Sequence, residues 1–556
     1  MTQSILLDIG IIILFAAILA NLAKVAKQPL ILGYVLAGIL IGPSVFGILK
    51  NLELIKILSE LGIAFLLFIV GLELDLKKLK EVGKFASLTG AIQVFTVTAI
   101  TLFIAMIWLD SIEALYVGLI VAFSSTMVVI KLISDSDELD TLHGRLILGI
   151  LIIQDVLAII ILPLLSGAKI FTLSFLGLAI AKVLLLLAVA YLLGKTIIQS
   201  VIKSSAKNHE LLFITAVSVC FLFAGLGYLL DFSIAVGAFI GGVLIGNTHY
   251  SLEISGRVKA LRDFFAVIFF VTLGSQIQFN HLLEKLPILL LLLFLVLILK
   301  PFIFFFLLKL FRHSNRTAFI SSLSLAQISE FSLVLALEGF LNGTLSQEMF
   351  NLIIILAIIT ITLSSYLIKY HKGLFSRFEN FLQPLDKFVS TKDLSYLPDK
   401  YENHVVLFGV HRMGSKIVST LKKQKKKIVA VDYNPDIIKN LIHQGIPSIY
   451  GDYGNLDVLH AARIGKAKMI ISTIPNLQEN NLLLKIVKSV NKNILVFVTA
   501  KTSADALSLY THGADFVAVP EILAGQKICD YVTHLKPNEI RKWGRTYYKE
   551  LTGRTS

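Results

Sequence analysis

Cysteine and charge are both scarce in this sequence. Only two of its 556 residues are cysteines, Cys220 and Cys529, and they fall in different regions. They specify no disulfide framework and no metal cluster. Charged residues make up 16% of the chain and hydrophobic residues 56%, above the roughly 45 to 50% of soluble domains. The first two thirds of the chain must therefore lie in a membrane.

Acidic residues are outnumbered by basic ones, which leaves a formal net charge of +14. A nucleic-acid partner is one explanation, but the Lys and Arg residues largely follow the apolar segments. The positive-inside rule accounts for that distribution, so we expect membrane lipid and no nucleic acid. The loop charges predict an external N-terminus, an odd number of spans and a cytoplasmic C-terminus in the plasma membrane.

Thirteen apolar segments are candidates for membrane spans. They cover approximately residues 5–21, 29–42, 54–73, 83–108, 113–133, 144–166, 171–200, 209–230, 234–248, 262–279, 285–311, 316–341 and 346–370. The second and ninth segments are near the lower length limit for a span.

Asp155 lies midway along an apolar segment and is the only acidic residue between Asp140 and Glu210. A carboxylate at the bilayer centre costs about 2.5 kcal/mol or more, so such residues usually face a bundle interior or a wet cavity. A hydrogen-bonded acid of the interior is the alternative. We predict that Asp155 is the central functional residue of the membrane segments.

Two short strings recur at an offset of about 204 residues. Gly38–Pro43 is similar to Gly242–Asn247, and Phe68–Leu72 is roughly similar to Val271–Ser275. An odd number of segments separates the copies, so they enter the membrane with opposite polarity. Although short strings also recur by chance, the shared offset predicts an inverted repeat, a common feature of secondary transporters.

Polar residues interrupt two apolar segments at this same offset, in Phe123–Thr126 and Leu325–Glu330. Such interruptions are typical of broken helices, whose ends and unwound carbonyl groups hold an ion near the membrane midplane. Hydroxyl groups that bond back to an intact helix are the alternative for either break alone. The pairing of the two breaks favours crossed, broken helices.

Lys300 lies deep in the apolar run Leu291–Phe306. Snorkelling to the interface is one explanation. Otherwise it either neutralises Asp155 when no cation is bound or steadies the negative ends of the half-helices. A carboxylate binds a proton or a dehydrated alkali cation, and hydroxyl and carbonyl oxygens complete the shell of a hard cation. Together these residues predict cation:proton exchange.

The sequence resembles the monovalent cation:proton antiporter 2 family, and most closely its Kef-type potassium:proton branch. The resemblance is carried, in order, by the short Gly-Pro segment, Gly71–Asp75, the Ser-Ser-Thr interruption, Gln154 with Asp155, Arg262–Phe265, Phe269–Gly274 and Lys300. It runs from about residue 5 to 370 and continues into a C-terminal domain. Each motif is weak, whereas their order and spacing are specific.

The resemblance implies a polytopic α-helical membrane fold with thirteen transmembrane helices, inverted repeats and two crossed broken helices, usually in a homodimer. It implies a secondary active transporter rather than an enzyme, exchanging a monovalent cation, most simply potassium, for protons. The ion- and proton-binding residues are then Asp155, Gln154, Ser124, Ser125, Thr126, Lys300, Glu330 and Gln327. Gln154 stands where electrogenic relatives have a second Asp, so one-for-one exchange is implied. We expect no metal beyond the transported cation.

Short apolar strands alternate with helices in the last third of the chain. The strands are His404–Phe408, Lys427–Val431, Ile446–Tyr450, Met469–Thr473, Ile494–Val498 and Phe516–Val519. This alternation predicts an α/β Rossmann-like domain with a parallel sheet. We predict an exchanger domain at 1–372, a linker at 373–400, a nucleotide-binding regulatory domain at 401–525 and a tail at 526–556.

A glycine loop follows the first of these strands. Gly409 allows the tight turn and Gly414 the close packing of the next helix, while Asp432, about 20 residues on, suits a ribose hydroxyl. His411 replaces the second glycine, so AMP or ATP is favoured over NAD(H). The predicted nucleotide-binding residues are Gly409, His411, Arg412, Met413, Gly414, Asp432, Asp452 and Thr473. Turn and cap chemistry is the alternative for Asp452 and Thr473.

This domain resembles the N-terminal lobe of a regulator of potassium conductance domain of the TrkA-N type. The resemblance implies regulation by a bound nucleotide without a redox cofactor, and an ancillary regulatory subunit is a further candidate partner. About 35 residues follow Pro520, too few for a second lobe, so glutathione gating is not carried over. The alternatives are a sodium:proton antiporter, a nucleotide-gated potassium channel and a membrane-anchored dehydrogenase. A channel filter of the Thr-Val-Gly-Tyr-Gly kind is missing from the sequence.

Overall fold

The computed structural model divides the chain into two compact units, Met1–Gln383 and Pro384–Ser556. The described residues are 5–49, 52–73, 84–136, 138–139, 141–165, 182, 185–186, 188–206, 208–230, 232–246, 248, 250–278, 284–311, 313–386, 395–398, 401–410, 412–432, 435–451, 456–534, 538–541 and 543–544.

The first unit consists of helices joined by short loops, within its described residues. Its helices are α1 (Ile5–Val25), α2 (Leu30–Ile41), α3 (Leu52–Glu73), α4 (Lys84–Ala105), α5 (Ser111–Ala122), α6 (Thr126–Asp135), α7 (Leu142–Leu165), α8 (Gln199–Ser205), α9 (His209–Leu229), α10 (Ile234–Gly246), α11 (Ser251–Ser275), α12 (Leu286–Phe294), α13 (Lys300–Leu310), α14 (Asn315–Ser324), α15 (Glu330–Leu341) and α16 (Gln347–Asp386). A π-helical turn, Gly194–Ile198, precedes α8, and another, Leu295–Leu299, joins α12 to α13.

Seven helical stretches among the described residues are long and apolar enough to cross a membrane. They are Leu7–Val25, Ala86–Ala105, Ser111–Asp135, Leu142–Leu162, His209–Leu229, Leu286–Leu310 and Gln347–His371. Four shorter apolar helices accompany them, at Leu30–Ile41, Glu60–Leu72, Ile234–Gly246 and Asp263–Ser275. Most of the predicted segment 171–200 lies outside the described residues. The membrane unit predicted from composition is confirmed, and its count of thirteen spans stays a prediction.

The helices of the first unit pack in two groups. Helices α1, α2, α3, α9, α10 and α11 contact one another and form what we call the glycine-packed group. Helices α4, α5, α6, α7, α13, α14 and α15 also contact one another, and these form the broken-helix group. The last helix, α16, continues through the predicted boundary at residue 372 to Asp386 and so extends into the segment predicted as a linker.

Glycines bring helix backbones into direct contact within the glycine-packed group. A Cβ atom on Gly38 of α2 would lie 1.9 Å from the Val271 carbonyl oxygen of α11. A Cβ atom on Gly242 of α10 would lie equally close, at 1.9 Å, to the Phe68 carbonyl oxygen of α3. Gly38 and Gly242 are partners in the predicted repeat, as are Phe68 and Val271. The repeat seen in the sequence therefore makes the same contact twice.

The second unit contains a seven-stranded sheet in the order β1-β4-β3-β2-β5-β6-β7. Its strands are β1 (Ser395–Tyr396), β2 (His404–Phe408), β3 (Ile428–Asp432), β4 (Ser448–Tyr450), β5 (Ala467–Ser472), β6 (Leu495–Thr499) and β7 (Phe516–Ala518). The helices are α17 (Arg412–Lys423), α18 (Pro435–His443), α19 (Leu456–Ala461), α20 (Leu477–Val490), α21 (Ser503–Thr511) and α22 (Pro520–His534).

Strands β2 to β7 pair in parallel, and β1 adds an antiparallel edge. Strands β2 and β3 are fully buried, as their continuous apolar runs require when helices cover both faces of a parallel sheet. The predicted parallel Rossmann-like sheet is confirmed. Because β2 pairs with both β3 and β5, the strand order reverses beside β2, where ligands of such sheets bind.

The substitution Gly242→Ala should lower the thermal stability of the protein. The added methyl group collides with the Phe68 carbonyl oxygen, so α3 and α10 must separate, and overpacking of this kind costs about 1–3 kcal/mol. A thermal-shift measurement in detergent checks this. Gly225→Ala is the matched control, because a Cβ atom there meets nothing within 4 Å. Equal melting temperatures for the two variants would contradict the prediction.

Candidate functional site

Two helix breaks lie at the centre of the broken-helix group. Helix α5 ends at Ala122 and α6 begins at Thr126, with the Ser125 hydroxyl capping α6 through the Val128 N–H group. Helix α14 ends at Ser324 and α15 begins at Glu330. Both breaks fall where the polar interruptions predict them. The Ser124 hydroxyl group donates a hydrogen bond of 3.0 Å to the Leu325 carbonyl oxygen, which joins one break to the other.

Lys300 lies between the C-terminal ends of the two helices that the breaks terminate. Its Nζ atom donates to the carbonyl oxygens of Phe123 and Gln327, at 2.8 Å in each case, and its side chain is fully buried. The C-terminal end of a helix carries partial negative charge, which an ammonium group stabilises. Among the described residues, Lys300 makes no ion pair with Asp155. The ammonium group therefore neutralises helix ends rather than that carboxylate.

Glu330 is the first residue of α15, so its carboxylate lies at a helix N-terminus, whereas the Lys300 ammonium group lies at helix C-termini. The Ser329 hydroxyl group donates to Glu330 Oε2 at 3.5 Å, and the Ser125 hydroxyl group and the backbone N–H groups of Met127 and Glu330 lie close enough to stabilise its carboxylate. Met127 lies in the first turn of α6. The N-terminal ends of α6 and α15 thus share one buried carboxylate, because helix N-termini carry partial positive charge and orphan N–H donors.

Asp155 projects from α7 toward the start of α6. The Thr126 hydroxyl group donates a hydrogen bond of 2.8 Å to Asp155 Oδ2, and the Glu330 carboxylate lies near enough to interact with it electrostatically. Asp155 is only half-buried, whereas Glu330 is 5% exposed. Asp155 is therefore the more exposed of the two residues, and their carboxyl groups are neighbours beside the helix breaks.

Gln154 precedes Asp155 and takes part in a chain of buried amides. Its Oε1 atom accepts from the Ser124 backbone N–H group at 3.0 Å, and its Nε2 atom donates to Gln93 Oε1 at 2.6 Å. Gln93 Nε2 in turn donates to the Ala122 carbonyl oxygen at 3.0 Å. Sequence reasoning missed Gln93, although a glutamine within the apolar segment 83–108 is a usable signal.

Two further contacts fix the second break. The Ser332 hydroxyl group of α15 donates to the Ile120 carbonyl oxygen of α5 at 2.7 Å. Gln327 Oε1 accepts from the Ser364 hydroxyl group of α16, while the Gln327 carbonyl group accepts from Lys300. All eight predicted ion-site residues therefore belong to one network around the two breaks, although Lys300 and Asp155 do not touch.

A cavity of about 600 Å³ opens between the two helix groups. Glu60 of α3 and Glu338 of α15 contribute the acidic part of its lining, and Ile63, Tyr228, Leu229, Phe232, Ser233, Ile234, Ala235, Leu341 and Asn342 complete it. Glu338 lies eight residues beyond Glu330, about 12 Å along the helix at 1.5 Å per residue. Sequence reasoning missed both acidic lining residues.

The glycine loop of the second unit has the tight turn and close packing predicted for it. Gly409 has φ +80°, and a Cβ atom there would lie 2.7 Å from Thr473 Oγ1. A Cβ atom on Gly414 would lie 1.9 Å from the Gly409 carbonyl oxygen, so α17 packs directly against the turn. The Thr473 hydroxyl group donates to that same carbonyl oxygen at 2.9 Å.

Asp432 ends β3 beside the glycine loop. Its Oδ2 atom accepts a hydrogen bond of 2.6 Å from the Val410 backbone N–H group, and the side chain is 5% exposed. Burial, and then the nearby Asp432 carboxylate, raise the pKa of Tyr450 to about 12. Asp432 is thus placed against the loop that it is predicted to serve.

Two more of the predicted nucleotide residues lie at the start of α17. Arg412 is the first residue of that helix, and the Met413 side chain is exposed. His411 and Asp452 lie outside the described residues, so their predicted contacts stay predictions.

An apolar helical unit with a carboxyl group at paired helix breaks, followed by a Rossmann-like domain, defines a membrane transporter with a regulatory domain. Residues 10–369 match the family described as sodium/hydrogen exchanger, transmembrane, and residues 405–520 match the TrkA-N domain. The chain therefore belongs to the sodium/hydrogen exchanger family, which consists of transporters rather than enzymes. The predicted family resemblance is confirmed.

Three relatives are similar over most of the transporter unit or beyond. The putative cation/proton antiporter YbaL of Escherichia coli (strain K12) is 29% identical over 526 residues, which cover 92% of this chain and 94% of that protein. The putative K(+) efflux antiporter KefB of Alkalimonas amylolytica is 28% identical, and the match covers 93% of this chain and 79% of that protein. The iron transporter MagA of Paramagnetospirillum magneticum (strain ATCC 700264 / AMB-1) is 32% identical, and the match covers 64% of this chain and 83% of that protein.

The substitution Lys300→Met should lower the melting temperature substantially. Methionine keeps the length of the side chain but leaves the Phe123 and Gln327 carbonyl groups without their donor, at about 1–3 kcal/mol for each buried group. Thermal shift and exchange activity per folded protein are measured together. Lys195→Met, at an exposed lysine, is the control. A normal melting temperature with lost exchange would show instead that Lys300 acts in transport alone.

Proposed function

We propose that this protein exchanges potassium ions for protons across the cell membrane, and that a nucleotide bound to its C-terminal domain regulates the exchange. The observation that carries the proposal is the Asp155 carboxyl group, which Thr126 holds beside two helix breaks. A carboxylate binds either a proton or a partly dehydrated cation. Occupancy by one therefore requires release of the other, which couples the two fluxes.

Asp155 supplies the charged ligand of the cation in this scheme. Ser124, Ser125 and Thr126 add hydroxyl or carbonyl oxygens, which suit a hard monovalent cation. Lys300 and Glu330 are positioning residues, because each neutralises a pair of helix ends and thereby holds the breaks open. Gln327 shares that role, since its carbonyl group is one of the two that Lys300 binds.

One potassium ion is exchanged for one proton in this proposal. Gln154 carries no charge and is bound to Ser124 and Gln93, so it adds no second titrating carboxyl group beside Asp155. Glu330 is engaged by the helix N-termini. A single group that alternates between one proton and one monovalent cation leaves the net charge moved per cycle at zero.

The choice of potassium is supported by relatives whose names describe K(+) efflux antiporters, among them the protein from Alkalimonas amylolytica. Sodium:proton exchange is the second candidate, because the same oxygen ligands accept either ion. A nucleotide-gated channel is less favoured, since a buried carboxyl group suits exchange and the sequence lacks a carbonyl filter motif.

Alternating access follows from the two helix groups. We assign thirteen transmembrane helices in a homodimer, with the broken helices crossing, an external N-terminus and a cytoplasmic C-terminal domain. In that orientation, the cavity lined by Glu60 and Glu338 opens on the outer side, and its acidic residues attract cations toward α15. Movement of the broken-helix group against the glycine-packed group then exposes Asp155 to each side in turn.

The regulatory ligand is a nucleotide whose phosphate meets the N-terminus of α17 and whose ribose meets Asp432. The first turn of α17 offers backbone N–H groups to an anion, and the turn at Gly409 places that helix end beside Asp432. AMP or ATP is favoured, and NAD(H) is the alternative. An ancillary regulatory subunit is a further partner consistent with this family.

The substitution Asp155→Asn should abolish exchange while leaving the protein folded. Asparagine still accepts the Thr126 hydrogen bond but binds neither a proton nor a cation. Proteoliposomes with a pH-sensitive dye receive potassium or sodium in turn. Asp8→Asn is the matched control, because Asp8 is a buried acid in another apolar helix. Potassium-dependent proton movement by Asp155→Asn would remove Asp155 from the mechanism, and potassium flux without protons would favour the channel.

The substitution Asp432→Ala should weaken nucleotide binding about tenfold or more, since a hydrogen bond to a charged group contributes about 1.5–3 kcal/mol. Calorimetry on the full-length protein with AMP, ATP and NADH measures the affinity and identifies the ligand. Asp432→Asn keeps an acceptor for the Val410 N–H group and separates loop support from ligand contact. Asp530→Ala, at an exposed acid of α22, is the control. Unchanged affinity in Asp432→Ala would exclude the ribose contact.

A further inference from the structure

Glu138, His143 and His371 form a buried cluster away from Asp155. Glu138 follows α6, His143 lies in the first turn of α7, and His371 lies within α16. The exposed fractions of the three residues are 3%, 4% and 3%, respectively. His143 precedes Asp155 by twelve residues, about 18 Å along α7. The cluster therefore belongs to a different level of the membrane unit from the exchange site.

The ligating atoms of the cluster converge on one point. Nε2 of His143 lies 3.0 Å and Nε2 of His371 lies 3.2 Å from Glu138 Oε2. One such atom from each residue lies within 4.8 Å of the other two. Two imidazole nitrogens and one carboxylate oxygen make the donor set typical of zinc-like divalent cations. Hard cations such as potassium prefer oxygen ligands, so this set does not suit the transported ion.

The turn before α7 builds this arrangement. The Thr141 hydroxyl group donates to the Glu138 carbonyl oxygen at 2.6 Å and accepts from the Gly144 backbone N–H group at 3.1 Å. A Cβ atom on Gly144 would lie 2.1 Å from the Glu138 carbonyl oxygen. Glu138 is thus held against the first turn of α7, directly beside His143.

The hydrogen bonding of His371 leaves a place for a cation. Its Nδ1 atom lies against the Ile368 carbonyl oxygen, and its Nε2 atom faces Glu138 Oε2, so both nitrogens face acceptors. A neutral imidazole ring has one N–H group. When that group binds the Ile368 carbonyl group, Nε2 directs a lone pair at the carboxylate and has no donor, in line with its lack of a hydrogen-bond partner among the described residues.

We propose that Glu138, His143 and His371 bind one divalent transition-metal ion of the zinc type, with water as the fourth ligand. Ligands of a tetrahedral zinc ion at about 2.0–2.1 Å lie about 3.3 Å apart, close to the separations found here. The Ile368 carbonyl group orients the His371 ring, as the outer partners of metal-binding histidines do. This site was not expected from the sequence, where only the transported cation was anticipated.

The bound metal ion ties the turn between α6 and α7 to α16. Helices α6 and α7 carry Thr126 and Asp155, so the metal fixes the far ends of both helices that meet at the exchange site. We therefore expect the metal to raise the melting temperature of the membrane unit. That effect is independent of which cation is exchanged.

The test measures zinc on the full-length protein in detergent, after removal of the purification tag and treatment with a chelator. The protein is equilibrated with zinc chloride, freed of unbound metal and analysed by mass spectrometry. We expect one zinc ion per chain in the unmodified protein, and at least tenfold weaker binding in His143→Gln and His371→Gln. His209→Gln is the matched control, because His209 also contacts a glutamate, Glu253, but at the surface.

Two outcomes would overturn the proposal even for a protein that retains zinc. One is equal zinc binding by the unmodified protein and the double variant His143→Gln/His371→Gln. The other is a cobalt-loaded unmodified protein without the visible absorption bands of tetrahedral nitrogen and oxygen ligation, a readout that needs no variant to fold. Absence of zinc from the unmodified protein would overturn the proposal directly and would assign the cluster to an ion pair.

Discussion

The neutralisation of four helix ends by two side chains is the interaction on which the membrane unit depends. Breaking two helices inside an apolar environment exposes carbonyl groups at two C-termini and N–H groups at two N-termini, none of which lipid can satisfy. Lys300 binds the first pair and Glu330 the second. Both side chains are buried, and each charge is stabilised by helix ends of the opposite sign. Without this arrangement the breaks would be too costly, and Asp155 would face continuous helix.

The two helix groups are built by different means, which suits different tasks. In the glycine-packed group, backbones meet directly at Gly38 and Gly242, and little room is left for relative sliding. In the broken-helix group, polar contacts such as the one between Ser124 and Leu325 hold the elements together. Close backbone packing favours a rigid frame, whereas hydrogen-bonded breaks allow discrete rearrangement.

Much of the fold and of the candidate site could be predicted, because single residues or short runs indicate them. A charged residue in an apolar segment has a high energetic cost unless a partner stabilises it. Asp155 and Lys300 are conspicuous in apolar segments, and the strands of the second unit are short apolar runs that end at Gly409 or Asp432. Uncharged residues of the site, and residues that are far apart in the sequence, have no comparable local signal. Gln93 is a single polar residue in a long apolar segment, which does not predict its partners. Glu138, His143 and His371 meet because α16 packs against the start of α7. The sequence did not predict that α16 continues to Asp386, because Pro384 in its last turn usually indicates the end of a helix.

The amide chain through Gln93 couples two positions beside Asp155, so neither can be exchanged for an acid on its own without leaving a buried polar group unsatisfied. Gln154 gives a hydrogen bond to Gln93 and receives one from the Ser124 N–H group, and Gln93 uses its own amide nitrogen on the Ala122 carbonyl group. An aspartate at position 154 would have no N–H group for Gln93 Oε1, and rotating the Gln93 amide would strand the Ala122 carbonyl group instead. The two positions are therefore epistatic. An acid at position 154 of this protein would leave a buried amide group at position 93 unsatisfied unless residue 93 changed with it.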